Sequence, residues 1–361
     1  MIVGVLGGGQ LARMMALAGL PLGMKFVFCD PAPDACAADA GELICASYDD
    51  ATALAAFADK VDVATFDFEN VPESSIQTLA DRVRVFPSAI ALGMSQDRLR
   101  EKNLFRQLGI PTADFAPVSS MEELNSAIAA IGLPAVLKTR RFGYDGKGQI
   151  VISSEEEVAP AWEAIRREPA IVERLVSFSR EVSVIAVRAQ SGEIAIYPLS
   201  ENTHREGILR MAISRPGDAA THAASEMATS LLESLRYVGV LTLELFDTES
   251  GLVANEFAPR VHNSGHWTIE GAQTSQFENH LRAITGLPLG DTAALESVTM
   301  LNIVGEIPSA EEVLSVPGAH LHLYGKRPAA GRKVGHVTVR SSDHAVIDAA
   351  LGKLSSLPGV G

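Results

Sequence analysis

Cysteine is scarce: Cys29, Cys36 and Cys45 are the whole complement of 361 residues, with no C-x-x-C spacing and no pairing framework. They are expected as reduced thiols, in keeping with a cytoplasmic protein. Positive charge is also short, 30 Lys and Arg against 44 Asp and Glu, and the net charge of −14 repels a polyanion at long range. No nucleic-acid partner is expected. No window reaches the roughly 18 consecutive apolar residues that argue for a membrane span, so no membrane partner is expected either. The apolar segment 1–20 lacks a basic leader and is broken by Arg13, which argues against a secretion signal. Internal repeats and low-complexity linkers are absent as well. What is present is a chain 47% hydrophobic and long enough for two or three domains with sizeable cores.

Apolar runs at 2–6, 26–29, 43–45, 61–66 and 83–86 alternate with helical patterns such as 51–58 and 74–80, which predicts a small parallel-sheet α/β domain over residues 1–95. Beyond Ser95, a helix through Leu99, Leu104 and Leu108 stops at Gly109-Ile110-Pro111, and a second, over 121–131, stops at Gly132-Leu133-Pro134. A strand carrying Lys138, a glycine-rich loop, several hairpin-spaced strands and helices at about 219–236 and 274–285 follow, an α+β block over 96–294. The tail, 295–361, has strand patterns at 300–304, 320–323 and 333–339 and a helix at 345–354. It is short enough that it is expected to complete the sheet of another domain.

The first glycine cluster, Gly7-x-Gly9-x-x-Ala12 after a strand, fits a dinucleotide fingerprint, with Asp30 at the end of the second strand where a ribose-binding acid sits. The physics is wider than that cofactor. Amides at a helix N-terminus hold any phosphate or carboxylate, so a structural turn, a nicotinamide site and another anionic ligand all stay open. The second cluster, Gly143-Tyr144-Asp145-Gly146-Lys147-Gly148-Gln149, follows Lys138, Arg140 and Arg141. Its three glycines let backbone approach a ligand closely, and basic residues before such a flap suit a triphosphate. It is not a Walker loop.

The third feature carries most. Leu241–Phe246 is apolar on both strand faces except for Thr242 and Glu244, and after a turn at 247–251 a returning strand carries Asn255-Glu256. A hairpin centred near Ser250 places Glu244 opposite Glu256. Two carboxylates ~4 Å apart repel by about 4 kcal/mol at an effective dielectric near 20. They share a proton, pair with a base such as Arg260, or bind a hard cation, and oxygen ligands beside a phosphate flap favour Mg²⁺. His262 and His266 have H-x-x-x-H spacing, but the Ser-Gly between them argues for a loop and against zinc.

In this order the elements resemble the ATP-grasp superfamily. The texts Gly143–Gln149, Tyr197–His204, Ala258–Trp267 and Gly331–His336 narrow the resemblance to the PurK-type carboxyaminoimidazole ribonucleotide synthetases of purine biosynthesis. It runs from Gly7 to about Val339. The fold it implies is a Rossmann-like N-terminal domain, a central ATP-grasp domain and a small C-terminal domain. The activity it implies is an ATP-dependent ligase reaction: bicarbonate attacks the γ-phosphate of ATP, and the resulting carboxyphosphate carboxylates 5-aminoimidazole ribonucleotide. The resemblance also implies a homodimer.

By position in that family, Arg98 and Lys138 would contact ATP phosphates together with the flap, Gly143 to Gln149. Glu173 with Arg174, Leu175 and Val176 would hold adenine, Glu181 the ribose hydroxyls, and His204 and Asn255 would border the nucleotide. Glu244 and Glu256 would carry Mg²⁺, with Mn²⁺ as the substitute ion. The ribonucleotide would meet Gly9, Gln10 and Leu11, Tyr144 and Asp145, Ser264, and Lys326, Arg332 and Lys333. Asp145 would accept or orient the amine proton, and Arg260 and Asn263 would hold bicarbonate or carboxyphosphate. Ala258 stands where many ATP-grasp members have a metal-binding asparagine, which leaves the rest of the metal shell to water or phosphate.

Overall fold

The computed structural model describes residues 1–143 and 148–361. Five parallel strands open the chain: β1 (Ile2–Leu6), β2 (Lys25–Asp30), β3 (Glu42–Cys45), β4 (Val63–Phe66) and β5 (Arg84–Val85), in the order β3-β2-β1-β4-β5. Their side chains alternate between two cores. Val3, Val5, Phe26 and Phe28 face α1 (Gln10–Gly19) and, beyond it, the helix Gln276–Thr285. Leu6, Val27, Cys29 and Phe66 face the helices Ala51–Ala58 and Glu73–Ala80.

A small antiparallel sheet follows, β6 (Phe115–Val118), β7 (Ala135–Thr139), β8 (Gln149–Ile152) and β9 (Ala170–Arg174), in the order β6-β9-β7-β8. It closes its own core with the helices Met121–Ile131 and Val158–Ala164, through Leu124, Ile128, Trp162 and Val172. Met121–Ile131 spans the expected residues because both ends are encoded. Ser120 Oγ accepts from Glu123 N at 3.1 Å, and Gly132, at φ +85°, ends the helix.

The large sheet takes β10 (Arg180–Arg188), β11 (Ile194–Ile196), β12 (Leu199–Arg205), β13 (Ile208–Arg215), β14 (Gly239–Thr248) and β15 (Gly251–Ala258), then β16 (Ser297–Val304), β17 (Ala319–Leu323) and β18 (Lys333–Ser341). Its order is β15-β14-β10-β12-β13-β16-β18-β17, with β11 on β10. The tail therefore joins the central sheet, through Met211↔Leu301 and Ala212↔Met300, as its length implied.

The N-terminal sheet is tied to this one by a buried histidine. His280 Nδ1 accepts from Val240 N at 3.1 Å, so the proton sits on Nε2, which reaches Thr65 Oγ1 at 2.9 Å. Burial lowers its pKa to about 4 and keeps it neutral. Among the described residues, no helix is long and apolar enough to cross a membrane.

Candidate active site

Glu244 and Glu256 do pair across β14 and β15, but by a route that differs from a hairpin centred on Ser250. The turn is tighter, with Thr248 opposite Gly251, and the register is reset by a bulge that leaves Asn255 without a cross-strand partner. Arg98 Nη1 lies 2.7 Å from Glu256 Oε2, and His262 Nε2 lies 3.0 Å from Glu244 Oε1. His262 Nδ1 accepts from Ser264 N, so Nε2 carries the proton it gives to Glu244. Arg260, one of the alternatives for neutralising the pair, lies instead 3.0 Å from Glu69.

Desolvation pushes the Glu256 carboxyl up, but Arg98, then Lys138, outweigh it and hold the pKa at about 2. Each acid keeps one oxygen outside its ion pair, Oε1 of Glu256 and Oε2 of Glu244. Among the described residues, no three His, Cys, Asp or Glu side chains form a closed cage. Two carboxylates with free oxygens and an open remainder fit a hard cation that completes its shell with water and phosphate, as Mg²⁺ does.

The residues expected to hold a nucleotide stand on two walls. On the small sheet, Lys138 Nζ lies 3.0 Å from Glu173 Oε2. Glu173 is buried, and its Oε1 has no partner. Burial raises the Glu173 pKa, Lys138 and Lys102 lower it, and the net shift is down, so the group is an ionised acceptor. Arg174, Leu175 and Val176 run on along the rim, where Leu175 N is bonded to Pro134 O at 3.1 Å and the Leu175 side chain is exposed. On the large sheet, His204 Nδ1 and Glu181 Oε2 are 3.0 Å apart, and the Asn255 side-chain oxygen is buried without a partner.

Of the flap, Gly143, Gly148 and Gln149 are described, while Tyr144, Asp145, Gly146 and Lys147 lie outside the described residues. The flap's stem is held to the opposite wall. Arg140 pairs with Asp97 through Nε and Nη2, and Asp97 also caps the helix Arg98–Gln107 that presents Arg98.

Of the residues expected to meet the ribonucleotide, Gln10 and Lys326 come together at the N-terminal turn. Lys326 Nζ meets Gln10 Oε1, joining the tail to α1. Arg332 is exposed and Lys333 half-buried. Leu11 points into the core, so only its backbone faces a ligand. Ser264 is buried and bonded to Ser183 and His262, and the Asn263 amide is bonded at both ends to Asn302. These two side chains shape the loop that presents Arg260 and His262.

The glycine turn itself is filled from within. Asp67 Oδ2 accepts from Gly9 N at 3.0 Å and Ala12 N at 3.1 Å, and Asp30 accepts from Gly8 N, Ala32 N and Tyr48 OH. The place of a dinucleotide pyrophosphate is thus taken by Asp67, and the ribose acid of the nicotinamide reading is committed to the turn.

Burial, then Asp30, raise the Asp67 pKa to about 6 against Ala12 N, Arg260 and Lys326. A folded-state value above the unfolded one means extra stability below pH 4 that is lost as pH rises through 6. Urea unfolding from pH 4 to 7 is expected to show wild type losing up to about 3 kcal/mol relative to Asp67→Asn over that window. A difference flat in pH would contradict the assignment.

Sequence reasoning did not single out Glu69, Asp67, Glu101 or Lys102. Glu101 and Lys102 lie three and four positions after Arg98, on the same helix face, and both are 1% exposed. That spacing was the available signal.

Three domain families match the chain. Residues 1–96 match the ribonucleotide synthetase preATP-grasp domain, 103–277 the ATP-grasp domain, and 298–350 the phosphoribosylaminoimidazole carboxylase C-terminal domain. The chain is 52% identical over 357 residues to the N5-carboxyaminoimidazole ribonucleotide synthase of Pseudomonas aeruginosa, with 99% of each covered. The fold is similar to that of N5-carboxyaminoimidazole ribonucleotide synthetase from Thermus thermophilus, with a TM-score of 0.95 at 50% identity over 99% of this chain and 98% of that one. It is also similar to the Aspergillus clavatus N5-carboxyaminoimidazole synthase in complex with ADP and 5-aminoimidazole ribonucleotide, with a TM-score of 0.90 at 31% identity over 98% of each.

Proposed function

The chain belongs to the N5-carboxyaminoimidazole ribonucleotide synthase family of ATP-grasp ligases, and on that premise we propose how its site divides the work. The reaction is the ATP-dependent carboxylation of 5-aminoimidazole ribonucleotide in purine biosynthesis. Bicarbonate is the carboxyl donor: its oxygen attacks the γ-phosphorus, the bond to ADP breaks, and carboxyphosphate forms. The exocyclic amine of the ribonucleotide then attacks the carboxyl carbon, phosphate leaves, and the amine gives up a proton to Asp145 of the flap.

The paired acids with one free oxygen each carry this reading. Glu244 and Glu256 would hold Mg²⁺, or Mn²⁺ in its place, and the ion would supply neutralisation of the phosphate charge. Lys138 and Arg98 bind phosphate oxygens, with backbone of the flap from Gly143 to Gln149. The unpartnered Glu173 Oε1 accepts from the adenine 6-amine, with Arg174 to Val176 along the base, and Glu181 with His204 holds the ribose. Arg260 faces bicarbonate and carboxyphosphate. The ribonucleotide lies between Gly9–Leu11, the flap, and Lys326, Arg332 and Lys333, where the Lys326–Gln10 contact already joins the two ends of the chain.

The domains are 1–95, 96–294 and 295–361, and the working form is a cytoplasmic homodimer. ADP release is expected to need both the ribonucleotide and bicarbonate, falling at least about tenfold without either, and formate is expected not to replace bicarbonate. ADP formation indifferent to both would refute the assignment.

A further inference from the structure

We propose that Lys102 is a positioning residue for the nucleotide base, a sealed ammonium that pins Glu173 from behind so that one carboxylate oxygen stays turned toward the adenine 6-amine. This rests on the adenine role of Glu173 given above. Lys102 Nζ lies 3.3 Å from Glu173 Oε2 and donates to Ala254 O at 3.2 Å. Both contacts matter, because Glu173 belongs to the small sheet and Ala254 to β15 of the large one. The two sheets close separate cores and are joined here by the segment 111–115, which bonds to Ala254 through Pro111 O and pairs with Glu173 at Phe115; Lys102 adds a side-chain tie across the same gap.

The helix Arg98–Gln107 reaches β15 three times from one face. Lys102 takes the Ala254 carbonyl, Glu101 Oε1 accepts from Phe257 N at 2.7 Å, and Arg98 takes Glu256. The peptide groups gripped by Glu101 and Lys102 flank the bulge at Asn255, where the β14 ladder skips a residue. Of these three side chains, Lys102 is the one bonded to Glu173 on the other wall.

Lys138 already pairs with the same oxygen of Glu173, and a single lysine would satisfy one buried carboxylate. The second has a distinct use. Lys138 is 9% exposed at its side chain and has phosphate oxygens to serve once a nucleotide is bound. Lys102, at 1%, is sealed from solvent and is committed to Glu173 and the Ala254 carbonyl. With both ammonium groups on Oε2, Oε1 is left as an oriented acceptor without a partner.

The test compares ATP with purine riboside 5′-triphosphate, which lacks the 6-amine, by kcat/KM in wild type and in Lys102→Met, a neutral side chain of similar length. Wild type is expected to prefer ATP by about 10- to 100-fold, the factor a hydrogen bond to a charged acceptor gives. In Lys102→Met the preference is expected to fall to about threefold or less, with KM for the ribonucleotide within twofold of wild type. A variant that is merely less stable loses activity with both nucleotides and keeps the ratio, which would overturn the proposal. If wild type itself shows no preference for the amine, the adenine role of Glu173 fails, a separate outcome. Should Lys102→Met not fold, Lys102→Gln, which keeps a donor, is read on the same ratio. A fall of at least threefold is expected, and an unchanged ratio would again overturn the proposal.

Discussion

Glu256→Gln is expected to lower kcat/KM for ATP turnover at least about a thousandfold while leaving the thermal midpoint nearly unchanged. The substitution keeps shape and removes one negative charge. On the catalytic side it would take away half of the proposed carboxylate ligation of the cation and the partner of Arg98. A loss of about 4 kcal/mol of transition-state stabilisation is a factor of roughly 10³. On the stability side two effects oppose each other. Arg98 loses its 2.7 Å ion pair, but Glu101, whose buried carboxyl is held well above the usual carboxylate range by burial and then by Glu256, is relieved of that neighbour and becomes the better counter-charge. A coupled assay for ADP across a Mg²⁺ titration separates the two readings: the variant is expected to need more Mg²⁺ as well as to turn over more slowly. A fall smaller than tenfold at saturating Mg²⁺ would remove Glu256 from the metal shell.

How much of this was legible without coordinates depended on the range of the interaction. Met121–Ile131 was readable because its cap, apolar period and glycine stop are local. The pairing of Glu244 with Glu256 was readable because the two strands are joined by a short turn, although the bulge at Asn255 was not, since nothing in the alternation marks it. The helices Ala89–Ser95 and Val158–Ala164 are short, and their apolar residues do not stand out from the flanking strands and loops.

Partner choice was the least legible. Arg260 finds Glu69 from 191 positions away, and Asp67 reaches back to Gly9 and Ala12 across a parallel crossover, pairings that no spacing rule predicts. Lys102 sits in the text Arg98-Leu-Arg-Glu-Lys-Asn103, which reads as a solvated helix face until β15 and β9 close over it. The candidate residues singled out in advance are those whose surroundings lie close by in sequence or whose neighbouring text is distinctive. The ones missed support them from a distant part of the chain.

Gly7→Ala is expected to cost about 3 kcal/mol or more of stability. Two separate reasons add. Gly7 has φ +109°, a backbone conformation that L side chains rarely adopt, and a Cβ built there would stand 1.7 Å from Asp67 Oδ1. That carboxylate cannot easily withdraw, because its other oxygen holds the amides of Gly9 and Ala12 at the start of α1. Gly9 makes the comparison: its φ is −79° and the corresponding contact is 2.9 Å to Asp67 Oδ2, so Gly9→Ala is expected to cost about 1 kcal/mol. Pairing Gly7→Ala with Asp67→Ala is expected to recover less than half of the loss, since the clash is relieved and the strained φ is not. Chemical unfolding of the three variants gives the ranking, and KM for the ribonucleotide gives the discriminating second reading. If Gly7→Ala matched wild type in stability and raised only that KM, the glycine would serve an approaching ligand; loss of stability at an unchanged KM assigns it to the carboxylate beneath the turn.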